Sequence, residues 1–229
     1  MIKGVELTDE AKTISFKGIM RLENVLKPGE PESDPHWIFS RTLLLEKDRI
    51  MLEEAIKKLN TGSEEEGKGV YIFQGLMGSG KSHRLVFLYH LFKNIDLANK
   101  FLKERGLPTI EQRPEVVALN AIAQIRGYYL DEAILSRLDL NWTENRAPSK
   151  EELKELIGDK PFVIILDEIE RWVNQFKDKT AIFDRNLIFL QNLSDLASEA
   201  GIRLLVFLAI YGTRDEPKST LRRVKLKRE

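Results

Sequence analysis

The chain has 229 residues, of which 42% are hydrophobic and 31% are charged. This is enough for one substantial hydrophobic core, and we expect one α/β domain with an N-terminal extension. The balanced charge, with 36 basic and 36 acidic residues, does not favour a nucleic-acid binder, and the absence of cysteine excludes disulfides, cysteine metal sites and thiol catalysis.

The first part of the chain carries few strong structural signals. Residues 1–33 are interpreted as an N-terminal extension and linker, because residues 28–35 are rich in proline, glycine and polar side chains. From Trp37 to Leu59, apolar residues recur at the spacing of an amphipathic helix. We therefore expect the main domain to span residues 34–213.

A phosphate-binding loop is the clearest motif of the chain. Residues 75–82 read Gly-Leu-Met-Gly-Ser-Gly-Lys-Ser and fill every fixed position of the pattern G-x-x-x-x-G-K-[ST]. The β-branched and aromatic run Val70–Phe73 predicts a buried strand before the loop, and the spacing of Leu85–Phe92 predicts a helix after it. Strand, glycine loop and helix are the context that this motif requires; the alternative is a chance glycine-rich turn.

Such a loop binds phosphate through its backbone N–H groups and through the N-terminus of the following helix. Lys81 is expected to reach the β- and γ-phosphates of the nucleotide, and Ser82 is expected to hold Mg²⁺. The residues expected to contact the nucleotide are Gly75, Leu76, Met77, Gly78, Ser79, Gly80, Lys81, Ser82 and His83.

Helices alternate with strands along the rest of the chain. Further strands are predicted at 116–120, 162–166 and 204–211, and helices at 80–94, 96–104, 122–139, from 149 onward, and 168–199 with a break near 177–180. Strands that are separated by helices imply a parallel sheet with helices on both faces. Ligands of such sheets bind at the carboxyl ends of the strands.

No apolar run approaches the roughly 20 residues that a membrane span needs, and the first residues lack the apolar core of a signal peptide. The longest apolar run, 204–211, has the length of a strand. Together with the lack of cysteine, this predicts a cytoplasmic protein without membrane contact.

A second motif follows the apolar strand 162–166, which continues directly into Asp167 and Glu168. An acid after an apolar strand is the Walker B pattern, and Asp167 is expected to hold Mg²⁺ with Ser82. Glu168 is expected to orient and polarise the water that attacks the γ-phosphate. The alternative is a solvated pair that caps the helix starting at Ile169.

The spacing of 86 positions from Lys81 to Asp167 leaves room for an additional strand between the two motifs. An additional strand and a glutamate after the aspartate resemble the AAA-type and RecA-like branch of P-loop ATPases. In these ATPases a polar residue at the tip of the fourth strand acts as a sensor, for which Thr213 is the first candidate, with Tyr211 and Arg214 as alternatives.

Two further roles are left open among several residues. Asn120, at the end of the second strand, faces the same sheet edge as the two motifs. An arginine finger, which stabilises charge on the γ-phosphate, normally comes from a neighbouring subunit. None of the arginines has a motif around it, so each is expected at the surface; they are Arg185, Arg203, Arg214, Arg222 and Arg223.

Two segments together resemble a known family. Residues 34–42 follow the pattern Asp-Pro-x-x-x-Phe-x-x-Thr, and residues 74–92 contain the phosphate loop followed by Lys-Ser-His and Leu-Tyr-His-Leu. These segments are similar to an AAA-type ATPase family long catalogued as a domain of unknown function, whose members accompany DNA methyltransferase or restriction-like genes. The resemblance implies an Mg-dependent ATPase, an adenine near residues 34–42 and the residues just ahead of the first strand, and a role in phage defence or DNA processing.

The resemblance also implies ATP, further copies of the chain and DNA as partners, with hydrolysis coupled to remodelling of nucleic acid or protein. A complete AAA-type module adds a fifth strand and a helical lid, for which only residues 221–226 remain, so we expect a fragment or a truncated relative. Residues 214–229 carry seven basic and three acidic side chains and are read as a basic tail or the start of the lid.

Two alternatives to an ATPase remain. In the first, the chain is a nucleotide-regulated binding or assembly module with little turnover. The short part that follows the fourth strand favours this alternative. A small-molecule phosphotransferase is the other, but it needs a lid with clustered arginines, for which the sequence shows no pattern.

Overall fold

Four parallel strands form one sheet in the computed structural model, which describes residues 20–62, 68–76 and 78–211. The strands are β1 (Val70–Gly75), β2 (Glu115–Asn120), β3 (Phe162–Asp167) and β4 (Leu204–Tyr211). Their order in the sheet is β1-β4-β3-β2, so β4 separates the strand before the phosphate loop from the strand that ends in Asp167. All four predicted strands are confirmed.

Strand register brings the ends of the strands to one edge. Gly75 of β1 pairs with Tyr211 of β4, and Asn120 of β2 pairs with Asp167 of β3. Every residue of β3 is buried, as expected for an apolar strand that is covered on both faces. The carboxyl ends of β1, β2 and β3 therefore lie next to the loops that the sequence analysis singled out.

One face of the sheet is covered by α1 (Pro35–Arg41), α2 (Glu46–Thr61), α3 (Lys81–Lys93) and α4 (Ile95–Lys103). Their apolar side chains form one core cluster with Val163 and Ile165 of β3 and with Leu205, Phe207 and Ala209 of β4. We call this side of the sheet the arm face, because residues 20–45, which we call the arm, pack here as well.

The opposite face is covered by α5 (Ala121–Gln124), α6 (Leu130–Leu135), α7 (Lys150–Ile157), α8 (Ile169–Asn174) and α9 (Thr180–Ala197). Alternate strand residues, such as Ile164 and Leu166, point into this second core cluster. The break predicted near 177–180 is confirmed between α8 and α9, and Ser149 and Glu152 form the predicted capping box of α7.

The helix predicted from Trp37 to Leu59 is wrong in one respect, because the structure divides it into α1 and α2. Asp34 caps the start of α1 by accepting a hydrogen bond from the backbone N–H of His36. The hydroxyl of Thr42 donates to the carbonyl of Ile38 after the end of α1, and Asp48 accepts from the backbone N–H of Leu45 at the start of α2. Side-chain bonds to the backbone thus interrupt a segment whose apolar spacing is continuous.

The arm begins with two 3-10 turns, Leu22–Leu26 and Pro31–Ser33. Leu22 is fully buried and Val25 is 6% exposed, and both belong to the core cluster of the arm face. The described part of the arm is therefore packed as part of this core. Among the helices of the described residues, none has both the length and the apolar character needed to cross a membrane.

Candidate functional site

The glycines of the loop between β1 and α3 are required by its geometry. A Cβ atom on Gly75 would lie 2.6 Å from the hydroxyl oxygen of Ser79, which folds back over the strand end. Gly78 and Gly80 have φ angles of 80° and 81°, in the left-handed region that favours glycine. The loop thus curls tightly between strand and helix, as a phosphate-binding loop must; Met77 lies outside the described residues.

Lys81, the first residue of α3, folds back over this loop. Its Nζ atom donates to the carbonyl oxygens of Gly75 at 2.7 Å and Leu76 at 2.9 Å. The same ammonium group lies 6.0 Å from the centre of the Tyr211 ring at the tip of β4. The positive charge is therefore held at the mouth of the loop, where the sequence analysis expected it to meet phosphate.

Ser82 and Asp167, predicted as the two metal ligands, are brought together by the fold. The Ser82 hydroxyl donates to Oδ2 of Asp167 at 2.8 Å, although the residues are 85 positions apart. Oδ1 of Asp167 accepts from the backbone N–H of Glu168 at 2.9 Å. Burial raises the pKa of Asp167, while the bond from Ser82, the Glu168 N–H and the charge of Lys81 act in the opposite direction.

The Ser82 hydroxyl and the Asp167 carboxylate form a pair of oxygens that could hold Mg²⁺. The residues described here contain no group of three or more His, Asp or Glu side chains that could enclose a metal. Mg²⁺ is usually bound by one or two protein oxygens and completes its shell with waters and substrate phosphates. A hydroxyl and a buried carboxylate beside a phosphate loop fit that pattern.

Glu168 stands in an uncommon backbone conformation, with a φ angle of 55°. Its side chain is exposed, and no described residue donates a hydrogen bond to its carboxylate. It occupies the position before α8 but makes no side-chain capping bond to that helix. The capping alternative therefore lacks its expected contact. The carboxylate of Glu168 is exposed to solvent next to Asp167. Strained backbone conformations of this kind are often found at functional positions.

The remaining predicted polar residues divide into three groups. Thr213, Arg214, Arg222 and Arg223 lie outside the described residues. Tyr211 ends β4 beside the loop and is 60% exposed. Arg203 precedes β4 at the opposite sheet edge and donates to the side chain of Gln112.

Arg185 corrects an expectation, because it is not a surface residue. It is 7% exposed, and its guanidinium donates to Oδ2 of the fully buried Asp131 at 2.8 Å and 3.1 Å. A buried, paired arginine cannot reach a neighbouring subunit, so Arg185 is excluded as an arginine finger. Nothing in the local pattern around residue 185 indicated this partner 54 positions away.

His83 joins the loop helix to the arm. Its Nε2 lies 3.0 Å from the hydroxyl oxygen of Thr42, whose own proton goes to the carbonyl of Ile38. The hydroxyl must therefore accept, and His83 donates from Nε2. Burial, followed by the neighbouring charge of Arg84, lowers the pKa of His83, which favours the neutral ring. The two segments that carry the family resemblance thus touch each other directly.

His90 makes a second link between α3 and the arm. Its Nε2 lies 2.7 Å from the backbone carbonyl of Glu32, which can only accept, so this nitrogen carries the proton. Nδ1 then accepts from the side-chain amide of Asn94 at 3.0 Å. Burial lowers the pKa of His90, although the bond to Glu32 partly opposes this. Both histidines of the motif therefore hold the arm against the helix that follows the loop.

A cavity of about 180 Å³ opens between the arm, α2 and the start of α3. Its apolar wall is formed by Leu44, Met51, Leu52, Phe87 and Leu88, and its polar side by Thr42, Asp48, Ser79, His83 and Arg84. Asp48 and Arg84 form an ion pair at 3.1 Å within this lining. The cavity thus adjoins the glycine loop and combines an apolar wall with a polar side.

Glu23 belongs to the site although the sequence analysis did not select it. Its Oε2 accepts a hydrogen bond of 3.0 Å from the side-chain amide of Asn120, the β2 residue beside Asp167. Its charge contributes to raising the pKa of Asp167. The local pattern around residue 23 has no motif, and only the packing of the arm across the sheet edge reveals the contact.

Comparison with protein families identifies the chain. The model of the DUF499 N-terminal domain matches residues 3–119, just over half of the 229 residues. The chain belongs to the DUF499 family. A search of curated proteins finds no match.

The DUF499 region covers the arm, the phosphate loop and both linking histidines. It ends one residue before Asn120, so Asp167 and Glu168 lie beyond it. Membership in this family confirms the predicted kinship with a family catalogued as a domain of unknown function. It says nothing about chemistry, which has to be argued from the site.

Proposed function

We propose that this chain binds ATP with Mg²⁺ at the carboxyl edge of its sheet and hydrolyses the γ-phosphate. The observation that carries the proposal is the 2.8 Å hydrogen bond between Ser82 and Asp167 at the mouth of a glycine loop with Lys81. This is the relation that a Walker A serine and a Walker B aspartate need in order to share one metal ion. The position of β4 between the two motif strands supports the AAA or RecA-like branch.

Each residue of the site has a separate role in this proposal, which follows from its position. The loop N–H groups and the start of α3 receive the phosphates, and Lys81 exchanges the loop carbonyls for phosphate oxygens. Ser82 and Asp167 hold the metal, which when bound stabilises charge on the phosphate oxygens. Glu168, exposed beside them, orients the attacking water and accepts its proton.

The cavity beside the loop supports a place for the base. It lies along the first turns of α3, next to Ser79 and His83. In this proposal the nucleoside leaves the loop on that side. Leu44, Met51 and Phe87 offer apolar contact to the ring, and the polar side chains of the lining offer hydrogen bonds to its edges. Placing adenine there agrees with the resemblance of residues 34–42.

Two substitutions test the proposal. Lys81→Ala is expected to weaken ATP binding by about 100-fold, since a charged contact to phosphate is lost. Glu168→Gln is expected to retain binding and to lose turnover by about 100-fold or more. Lys93→Ala, at the other end of α3, is the matched control and leaves both unchanged.

Binding by fluorescence of a labelled ATP analogue and turnover by phosphate release measure the two steps separately. Unchanged affinity in the Lys81 variant would refute nucleotide binding at the loop. Undiminished turnover in the glutamine variant would remove Glu168 from the mechanism.

A nucleotide-regulated binding module is the second candidate function, and the Thr42–His83 contact favours it. Because His83 follows the loop residues directly, occupation of the loop can be transmitted to the arm. Such a module binds ATP tightly and shows no turnover at any protein concentration. Turnover that rises steeply with concentration supports instead the homo-oligomeric ATPase, whose remodelling of DNA or protein we propose from the resemblance alone.

A further inference from the structure

The arm places Glu23 at the carboxyl edge of the sheet, beside Asn120 at the end of β2. Glu23 lies in the 3-10 turn Leu22–Leu26, whose Leu22 and Val25 are buried against the core of the arm face. The carboxylate of Glu32 accepts from the backbone N–H of Arg21 at 3.0 Å and from the side chain of Asn24 at 3.4 Å, which fixes the turn on both sides of Glu23. The backbone that carries Glu23 is therefore fixed before any ligand binds.

Asn120 determines where that carboxylate points. Its Oδ1 accepts from the backbone N–H of Ala123 and caps α5, so its amide nitrogen must face Glu23. Asn120 pairs with Asp167 in the sheet, and neighbouring strands lie about 4.8 Å apart. Glu23 is thus hydrogen-bonded to the residue that pairs with the predicted metal ligand, and no described residue donates a hydrogen bond to its other carboxylate oxygen.

Glu23 and Asp167 place two carboxylates at the same edge of the sheet, on either side of Asn120. Like charges at one edge repel each other when no cation lies between them. A divalent cation at Ser82 and Asp167 reverses this balance, because each nearby negative charge then attracts it. Mg²⁺ keeps several waters, and such waters are bound by carboxylates just outside the protein ligands.

We propose that Glu23 is a positioning residue for Mg²⁺, whose carboxylate strengthens metal binding at Ser82 and Asp167 by accepting from a water of the metal shell. This inference rests on the proposed function, since it assumes that Mg²⁺ binds there with a nucleotide. It assigns to the arm a direct part in the metal site in addition to its links to α3.

Glu23→Gln tests the proposal, because glutamine retains the shape and the hydrogen bond to Asn120 but removes the charge. Glu115→Gln, at the opposite end of β2 and exposed, removes the same charge away from the site. Binding of a fluorescent ATP analogue is measured in EDTA and over a Mg²⁺ titration. We expect Glu23→Gln to need about three- to sixfold more Mg²⁺, with unchanged affinity in EDTA, and Glu115→Gln to match the wild type.

Each result decides one point. Equal Mg²⁺ dependence in both variants overturns the proposal, as does an equal loss of affinity in EDTA, which shows a structural role alone. Absence of nucleotide binding by the wild type refutes the proposed function instead. If thermal melting shows that the glutamine variant is unfolded, Glu23→Asp replaces it, with an expected loss of about twofold in Mg²⁺ affinity; behaviour identical to the wild type then overturns the proposal.

Discussion

The two faces of the sheet use polar contacts in different ways. On the arm face, the contacts of His83, Arg84 and His90 all start from α3, the helix that carries Lys81 and Ser82. On the opposite face, the buried pair of Arg185 and Asp131 joins α9 to α6 and includes none of the loop residues. The arm face therefore includes polar contacts that hold the loop helix in place, whereas the buried pair on the opposite face joins two helices away from the loop.

This difference predicts that substitutions on the two faces affect different properties, namely the stability of the fold and the affinity for nucleotide. A change on the opposite face should lower the free energy of unfolding and leave nucleotide affinity intact in the folded fraction. A change on the arm face should cost less stability but alter affinity, because it moves the helix whose first turn forms the site. Four changes test this contrast, beginning with the largest expected effect.

Arg185→Met should destabilise the protein by about 3–5 kcal/mol, because it leaves the fully buried Asp131 without its charged partner. Urea unfolding measures the loss, and binding of labelled ATP below the transition should stay within twofold of the wild type. The double variant Arg185→Met with Asp131→Leu should recover most of the stability, since no unpaired charge remains. A loss below 1 kcal/mol would show that the pair is of little structural importance.

Gly80→Ala should cost about 1–2 kcal/mol, because the φ angle of 81° is unfavourable for a residue with a Cβ atom. ATP affinity should fall by about tenfold or more, since the loop backbone shifts. Gly29→Ala is the control, because Gly29 has a similar φ angle of 88° in the arm, away from the loop. It should cost similar stability without loss of affinity; equal losses of affinity in both variants would contradict the assignment of the loop.

Thr42→Val should cost about 1 kcal/mol, because His83 loses the acceptor for its Nε2 proton. We expect ATP affinity to fall by about threefold, since the arm loosens beside the loop. Ser198→Ala removes a comparable bond, from the Ser198 hydroxyl to the carbonyl of Ser194, on the opposite face. Fluorescence binding should distinguish them; unchanged affinity in the Thr42 variant would separate the arm from the nucleotide site.

The smallest effect is a pH dependence on the arm face. Burial lowers the pKa values of His83 and His90 below their ordinary value of 6.5, so the unfolded chain binds protons more readily there. Their contribution to stability is complete above pH 6.5 and declines as the pH falls below it. Thermal melting between pH 7.5 and 5.5 should show this decline.

A His90→Gln variant should show a shallower decline over the same range, because one of the two rings with a lowered pKa is gone. Asp167 changes the free energy of unfolding in the opposite sense at more acidic pH. Because its pKa is raised in the folded protein, the folded protein holds its proton above pH 3.8, where the unfolded chain releases it, so its effect favours folding as the pH falls. A slope that is unchanged in the His90 variant would assign the pH dependence to other groups.

The glycine loop and the sheet were predictable because their signals are contiguous. The glycine pattern of residues 75–82 and the apolar strand before Asp167 each lie within a few residues, and local backbone chemistry sets their conformation. The capping box of Ser149 and Glu152 was predictable for the same reason. The Ser82–Asp167 contact could be inferred because parallel strands bring their carboxyl ends to one edge.

Other features have no local signal. The division between α1 and α2 depends on single hydrogen bonds of Thr42 and Asp48, which apolar spacing does not register. The burial of Arg185 depends on Asp131, 54 positions away, and a charged residue without its partner reads as a surface residue. The position of Glu23 depends on Asn120, 97 positions away.

The proposal that this chain binds phosphate thus rests on short runs of residues, since the glycine loop and its flanking strand and helix are contiguous in the sequence. Membership in the DUF499 family rests on the first half of the chain, which contains that loop. The way the arm anchors α3 through two histidines, and the placement of Glu23 beside Asp167, were decided only in the folded protein. Long-range packing brings these side chains together, and the free energy of that packing is not encoded in any single segment.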